Sequence, residues 1–224
     1  MVDSTIVQVI AVSALPLLFA ITLHEVAHGW VASKLGDKTA LMLGRISLNP
    51  LKHIDPIGTI ILPLVLLLIG GVIFGWAKPV PVAWQNLNNP RRDMAVVALA
   101  GPASNLVMAL LWALIAKICL VLYNNQIYSV LFDIDRFFYA AANYGIFINI
   151  ILMVLNLLPI PPLDGSRVVS SILPPRWTAH YERIEPFGIF ILIALLFFGV
   201  LGTVLWPPIM LVTTTIKNLF GLTW

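Results

Sequence analysis

The chain has 224 residues, 60% hydrophobic and 10% charged, with a formal net charge of +3. Soluble domains carry about 25% charged residues, so an ordinary soluble domain is excluded and a polytopic helical membrane protein is implied. Nucleic acid is excluded as a partner, because the basic residues scatter between apolar runs and form no stripe with interleaved aromatics.

The first apolar run covers residues 5–35, carries Pro16 and ends at Lys34 and Gly36. It is long enough to span a bilayer with some tilt. No basic region precedes it, so it reads as a retained span and not as a cleaved leader. Residues 36–56 are more polar, and the alternation in LMLGRISLNP predicts a short strand or hairpin at the membrane surface, followed by a turn through HIDPIG.

Residues 57–76 are apolar but lie between two basic loops, one of which a full crossing would put on the wrong side. The Gly70-Gly71 pair permits a re-entrant loop instead. A half-helix over 57–69 would return extended over 72–80, which a membrane protein tolerates where the segment is buried or lines a cavity.

Residues 94–122, opening with AGPASN, form the next span. Residues 139–158 return and run into NLLPIPPLDG, and residues 166–186 are polar and basic. Residues 187–206 span again. Pro207-Pro208 then opens a last amphipathic piece, either a short span or an interfacial helix. Cys119 lies in an apolar run, and one cysteine makes no disulfide framework. Ten of the thirteen Lys and Arg fall on one side with the re-entrant loop in place. By the positive-inside rule that side is cytoplasmic.

The expected architecture is an all-α, multi-pass bundle of five to six transmembrane or re-entrant helices, with a short β element at the cytoplasmic face. It forms a single membrane domain over residues 1–224, with C-terminal helices in 187–224.

The segment that carries chemistry is His24-Glu25-Val26-Ala27-His28. On a helix, positions i and i+4 share a face, so both imidazoles can reach one metal ion while Glu25 acts as general base on water. Two neutral imidazoles, a carboxylate and one open position describe a catalytic zinc site. His28 lies six residues before Lys34, roughly 9 Å inside the helix end at ~1.5 Å per residue. An ionised side chain at the bilayer centre costs about 2.5–3.5 kcal/mol on insertion scales, so such a cluster reads as functional.

Lys34 stands where a HExxHxxxxxH pattern needs a third histidine. The remaining candidates for a third ligand are His53, Asp55, Asp164, His180, Glu182 and Glu185. Asp164 fits best, at the cytoplasmic end of a span behind the stiff PIPPLDG approach. The residues alone leave open whether it is a ligand or the N-cap of a following helix. His53 reads as a solvated turn histidine and His180 as a cytosolic residue outside the site.

HEVAH in the first span, AGPASN opening a later one and NLLPIPPLDG ending the next resemble, in order, the site-2 protease family of intramembrane metalloproteases. NPLKHIDPIGT and GWAKPVPV are similar to a compact prokaryotic branch without PDZ or CBS domains. The resemblance covers a core of roughly residues 15–170 and implies Zn2+ as cofactor, with Asp164 as the third ligand. It also implies hydrolysis of peptide bonds within or beside transmembrane segments of membrane-protein substrates, in a cell-membrane protein whose active site faces the cytoplasm. The alternative from another class is a metal or proton transporter using midplane His and Glu.

Asn156, eight residues before Asp164, and Asn105 are candidates to bind the substrate or the developing oxyanion; equally, Asn156 can satisfy backbone carbonyls freed by Pro159, and Asn105 can hydrogen-bond across the bundle. In Lys78-Pro79-Val80-Pro81-Val82, two prolines cannot donate ladder hydrogen bonds. The segment therefore reads as an exposed edge to which an unwound substrate strand adds.

Overall fold

Inside hydrocarbon every backbone N–H and C=O must find its partner within the protein, and the apolar runs accordingly become helices. A computed structural model describes residues 4–62, 65, 75–124 and 132–222. Its helices are α1 (Ser4–Lys34), α2 (Thr39–Met42), α3 (Pro90–Asn124), α4 (Phe132–Asn156), α5 (Asp164–Ile172), α6 (Pro175–Glu182), α7 (Gly188–Phe197) and α8 (Val200–Leu219). Among the described residues, four stretches are long and apolar enough to cross a bilayer: Gln8–Lys34, Pro90–Tyr123, Arg136–Asn156 and Val200–Leu219.

The pair α3 and α4 forms the centre, with α1 packed against both, α5 against α3, and α8 against α4. Ala109, Ala113 and Ala116 of α3 meet Ala142, Ile146 and Ile150 of α4 in a fully buried seam. Small side chains let transmembrane helices approach closely, and dispersion then holds them.

Two expectations need correction. No strand occurs among the described residues, so the short β element is absent there. Residues 36–56 form α2 and a 3-10 turn, Pro50–His53, whose start is fixed by the Asn49 side chain accepting from Leu51 N–H. Proline and Asx capping override the short apolar alternation.

The C-terminal division also falls elsewhere. Residues 187–206 are not one span: α7 stops at Phe197, Gly199 turns the chain at φ 73°, and α8 begins at Val200. Pro207 and Pro208, expected to open a new piece, lie inside α8.

Residues 57–80 are described only at their ends. Pro56–Ile61 is a helical turn capped by Asp55, and residues 75–83 form neither helix nor strand, with Ala83 extended. Trp76 N–H donates to Gly58 O (3.1 Å), Thr59 Oγ1 donates to Trp76 O (2.8 Å) and Lys78 N–H donates to His53 O (2.9 Å). The two ends therefore lie side by side at one level, as re-entry requires. The expected turn at Gly70-Gly71 lies outside the described residues.

The outgoing arm is anchored by Asp37, which is fully buried just past the end of α1. Its carboxylate accepts from Thr39 N–H (3.0 Å) and the Thr39 hydroxyl, from Ala83 N–H (2.7 Å), and from Asn86 Nδ2 (3.3 Å). Burial opposes its ionisation. The Thr39 hydroxyl, the Ala83 and Thr39 amides and Asn86 outweigh that and hold the carboxyl below its ordinary value.

Asp37→Ala should lower stability by about 1–3 kcal/mol, read as a drop in Tm by thermal unfolding in detergent. Because the folded pKa is depressed, the wild-type advantage is full above the ordinary carboxylate pKa of about 3.9. It is lost as pH falls through the folded value, so the two Tm curves should converge only in strong acid.

Candidate metal centre

The i, i+4 spacing on α1 puts His24 and His28 on one buried face, 7% and 9% exposed. Each ring is held from behind by α3. His28 Nδ1 lies 2.7 Å from Val97 O, and a carbonyl can only accept, so Nδ1 carries the proton. His24 Nδ1 lies 2.6 Å from Asn105 Oδ1. Asn105 Nδ2 donates to Ala20 O (3.2 Å) and to Asn149 Oδ1 (3.0 Å), which leaves Oδ1 as the acceptor for the His24 N–H.

Two neutral rings with protons on Nδ1 both present bare Nε2 lone pairs, and these nitrogens are only 3.0 Å apart. With both rings neutral, no proton is left to bridge them. The Asp164 oxygens complete the group, Oδ2 3.1 Å from His24 Nε2 and Oδ1 3.3 Å from His28 Nε2. Three negative or lone-pair donors within 4.8 Å of one another fit a cation between them. The set of two imidazoles and one carboxylate fits catalytic zinc.

Gly101 of α3 supplies the space. A Cβ there would lie 2.3 Å from His28 Nε2 and 2.6 Å from His24 Cε1. Asp164 opens α5, yet no side chain caps that helix; its carboxylate faces the histidines instead. The Nδ1 bonds are the outer contacts that orient metal-binding histidines.

Glu25 points to a different partner. Its Oε2 accepts from Val80 N–H at 2.7 Å, in the extended arm. Among the described residues that segment pairs with no strand. Lys78 N–H is bound by His53 O, Lys78 O and Pro79 O by the Arg45 guanidinium at 3.0 and 3.2 Å, and Ala83 N–H by Asp37.

The other candidate ligands are engaged elsewhere. Asp55 caps the 56–61 turn through Ile57 and Gly58 N–H, Glu182 and Glu185 pair with Arg167, and His180 bonds Arg176 O on the surface of α6.

His53 is not a solvated turn residue. It is 2% exposed, with Nε2 on Ser47 O at 2.8 Å. Asn105 hydrogen-bonds across the bundle, the second of its two expected roles: it is fully buried, and both amide atoms serve His24, Ala20 and Asn149. Asn156 Nδ2 donates to Leu152 O within its own helix.

Asn149, the Val97 carbonyl and the Val80 amide were missed. An asparagine inside the apolar INI run was a readable signal for the first. Main-chain donors and acceptors leave no mark on a sequence.

The model of peptidase family M50 matches residues 12–140 and 125–199. YwhC of Bacillus subtilis, provisionally named a zinc metalloprotease, is 38% identical over 206 residues, covering 92% of this chain and 89% of YwhC. Rip2 of Mycolicibacterium smegmatis and Rip2 of Mycobacterium tuberculosis, named likewise, are 31% and 30% identical. Each alignment covers 80% of this chain, and the chain spans 64% and 63% of their length. No solved structure matches the chain. With family model and relatives agreeing over most of its length, the chain belongs to peptidase family M50.

Proposed function

We propose that this chain is a site-2-type zinc endopeptidase. It would cut peptide bonds within or next to transmembrane segments of membrane proteins, as one domain over residues 1–224. The observation that carries the proposal is the convergence of His24 Nε2, His28 Nε2 and the Asp164 carboxylate on one point beside Glu25, within an apolar helix.

In this reading His24, His28 and Asp164 hold Zn2+. Zinc bound there supplies a Lewis acid and brings the pKa of water to about 7. Asn105 and Val97 O keep both rings turned with Nε2 inward. Glu25 takes a proton from the attacking water and returns it to the leaving amine, as general base and then general acid.

A recess between α1 and α3, lined by Leu23, Val26, Trp30, Val107 and Leu111 among others, lies beside the motif and supports an apolar helical substrate. An unwound substrate would run along Lys78–Val82, whose fixed extended backbone supports a docking edge. The Lys78 and Val80 amides and the Lys78 and Pro79 carbonyls are already engaged, so side chains and the remaining carbonyls must contribute. The charge distribution supports a cytoplasm-facing site in the cell membrane. A transporter reading gains nothing from the family or from this donor set.

Glu25→Gln should retain zinc by elemental analysis and lose about 10²- to 10⁴-fold in cleavage of a reconstituted transmembrane substrate. A fully active variant would reject the mechanism. Asn105→Ala should weaken zinc binding by about 10- to 100-fold in competition with a chelator. Removing zinc by dialysis should abolish cleavage, and adding it back should restore cleavage.

A further inference from the structure

We infer that the main-chain N–H of Val80 is the positioning group for Glu25, holding Oε2 and leaving Oε1 to exchange the proton. The inference rests on the role proposed above for Glu25.

The sequence around the contact is selective. In Pro79-Val80-Pro81 the two prolines have no N–H, so Val80 carries the one amide hydrogen of the three residues. A residue that precedes proline is pushed out of the α region, which keeps both Lys78 and Val80 extended. The arm is then fixed on either side of the contact. Lys78 N–H is bound by His53 O, and the Lys78 and Pro79 carbonyls are bound by Arg45. Three residues past Val80, Ala83 N–H is bound by the buried Asp37 carboxylate.

Val80 itself is 6% exposed. Its side chain sits over Gly29, where a Cβ would come within 2.9 Å of Val80 Cγ1. Gly29 is one turn beyond Glu25 on α1, so side chain and amide of Val80 dock on the same helix face. Glu25 has rotatable torsions and sits next to His24, not on the shared histidine face. A charge-assisted bond from a fixed amide selects its conformation.

The test removes this one donor from the full-length protein. A 2-hydroxyisovaleric acid residue at position 80 turns the Pro79–Val80 amide into an ester and keeps the side chain. Expected are unchanged zinc content, a fall of about 10- to 100-fold in kcat and a KM within about twofold. Wild-type kcat in the ester variant overturns the inference. Val80→Ala keeps the N–H and loses packing on Gly29; it should cost less kcat than the ester, and an equal loss overturns the inference.

A second readout needs neither zinc nor cleavage. The sequence has three glutamates, Glu25, Glu182 and Glu185. Carboxyl-labelled glutamate therefore gives few infrared bands, and Glu25→Gln identifies the Glu25 band. The ester should shift that carboxylate stretch in the metal-free protein, and an unmoved band overturns the inference. A shifted band in a protein that never cleaves peptides would reject the functional reading and leave this contact standing.

Discussion

Two imidazoles one turn apart within an apolar helix must have all four ring nitrogens accounted for, because an unpaired polar atom in hydrocarbon costs several kcal/mol. Val97 O and Asn105 Oδ1 each take one Nδ1–H, and both Nε2 atoms then face the Asp164 carboxylate. The rest of the architecture follows from that demand. α3 must lie flush against α1, which needs Gly101 where a side chain would strike both rings. α4 must bring Asn149 behind Asn105, and its far end must turn α5 so that Asp164 closes the group.

The proposed ligands were legible because their chemistry is local. An i, i+4 pair of histidines with an intervening Glu is a helix-face statement, and its depth follows from counting to Lys34. Asp164 was harder. Carboxylates near helix starts are ordinary caps, and the residues alone allowed either role; the resemblance to known motifs favoured the ligand, and the carboxylate lies beside both histidines. Most of the long apolar spans were legible for the same local reason.

What the sequence hid is what depends on main-chain geometry. The alternation in residues 41–48 looked like a strand, but Asn49, Pro50, Asp55 and Pro56 bend the backbone into capped turns. His53 looked wet because its neighbours are charged, yet it is buried, with its ring on the Ser47 carbonyl. Asn105 allowed either a substrate-facing or a cross-bundle role, because nothing in one chain says which helix will stand opposite. Gly199 broke the last apolar run since only its φ, not its hydropathy, decides where α7 ends.

The α3 contacts make the centre sensitive to sliding. Val97 and Asn105 are eight residues apart on one helix, and they grip histidines four apart on the other in reverse order. A shift of α3 along α1 by a single turn, about 5.4 Å, would break both grips together and drive a side chain into the space Gly101 keeps open. The two helices thus act as a vernier, on which the ligands are aligned in one register and in neighbouring ones are not. A bilayer that pulled the helices past one another would disassemble the site as a unit, without touching any ligand.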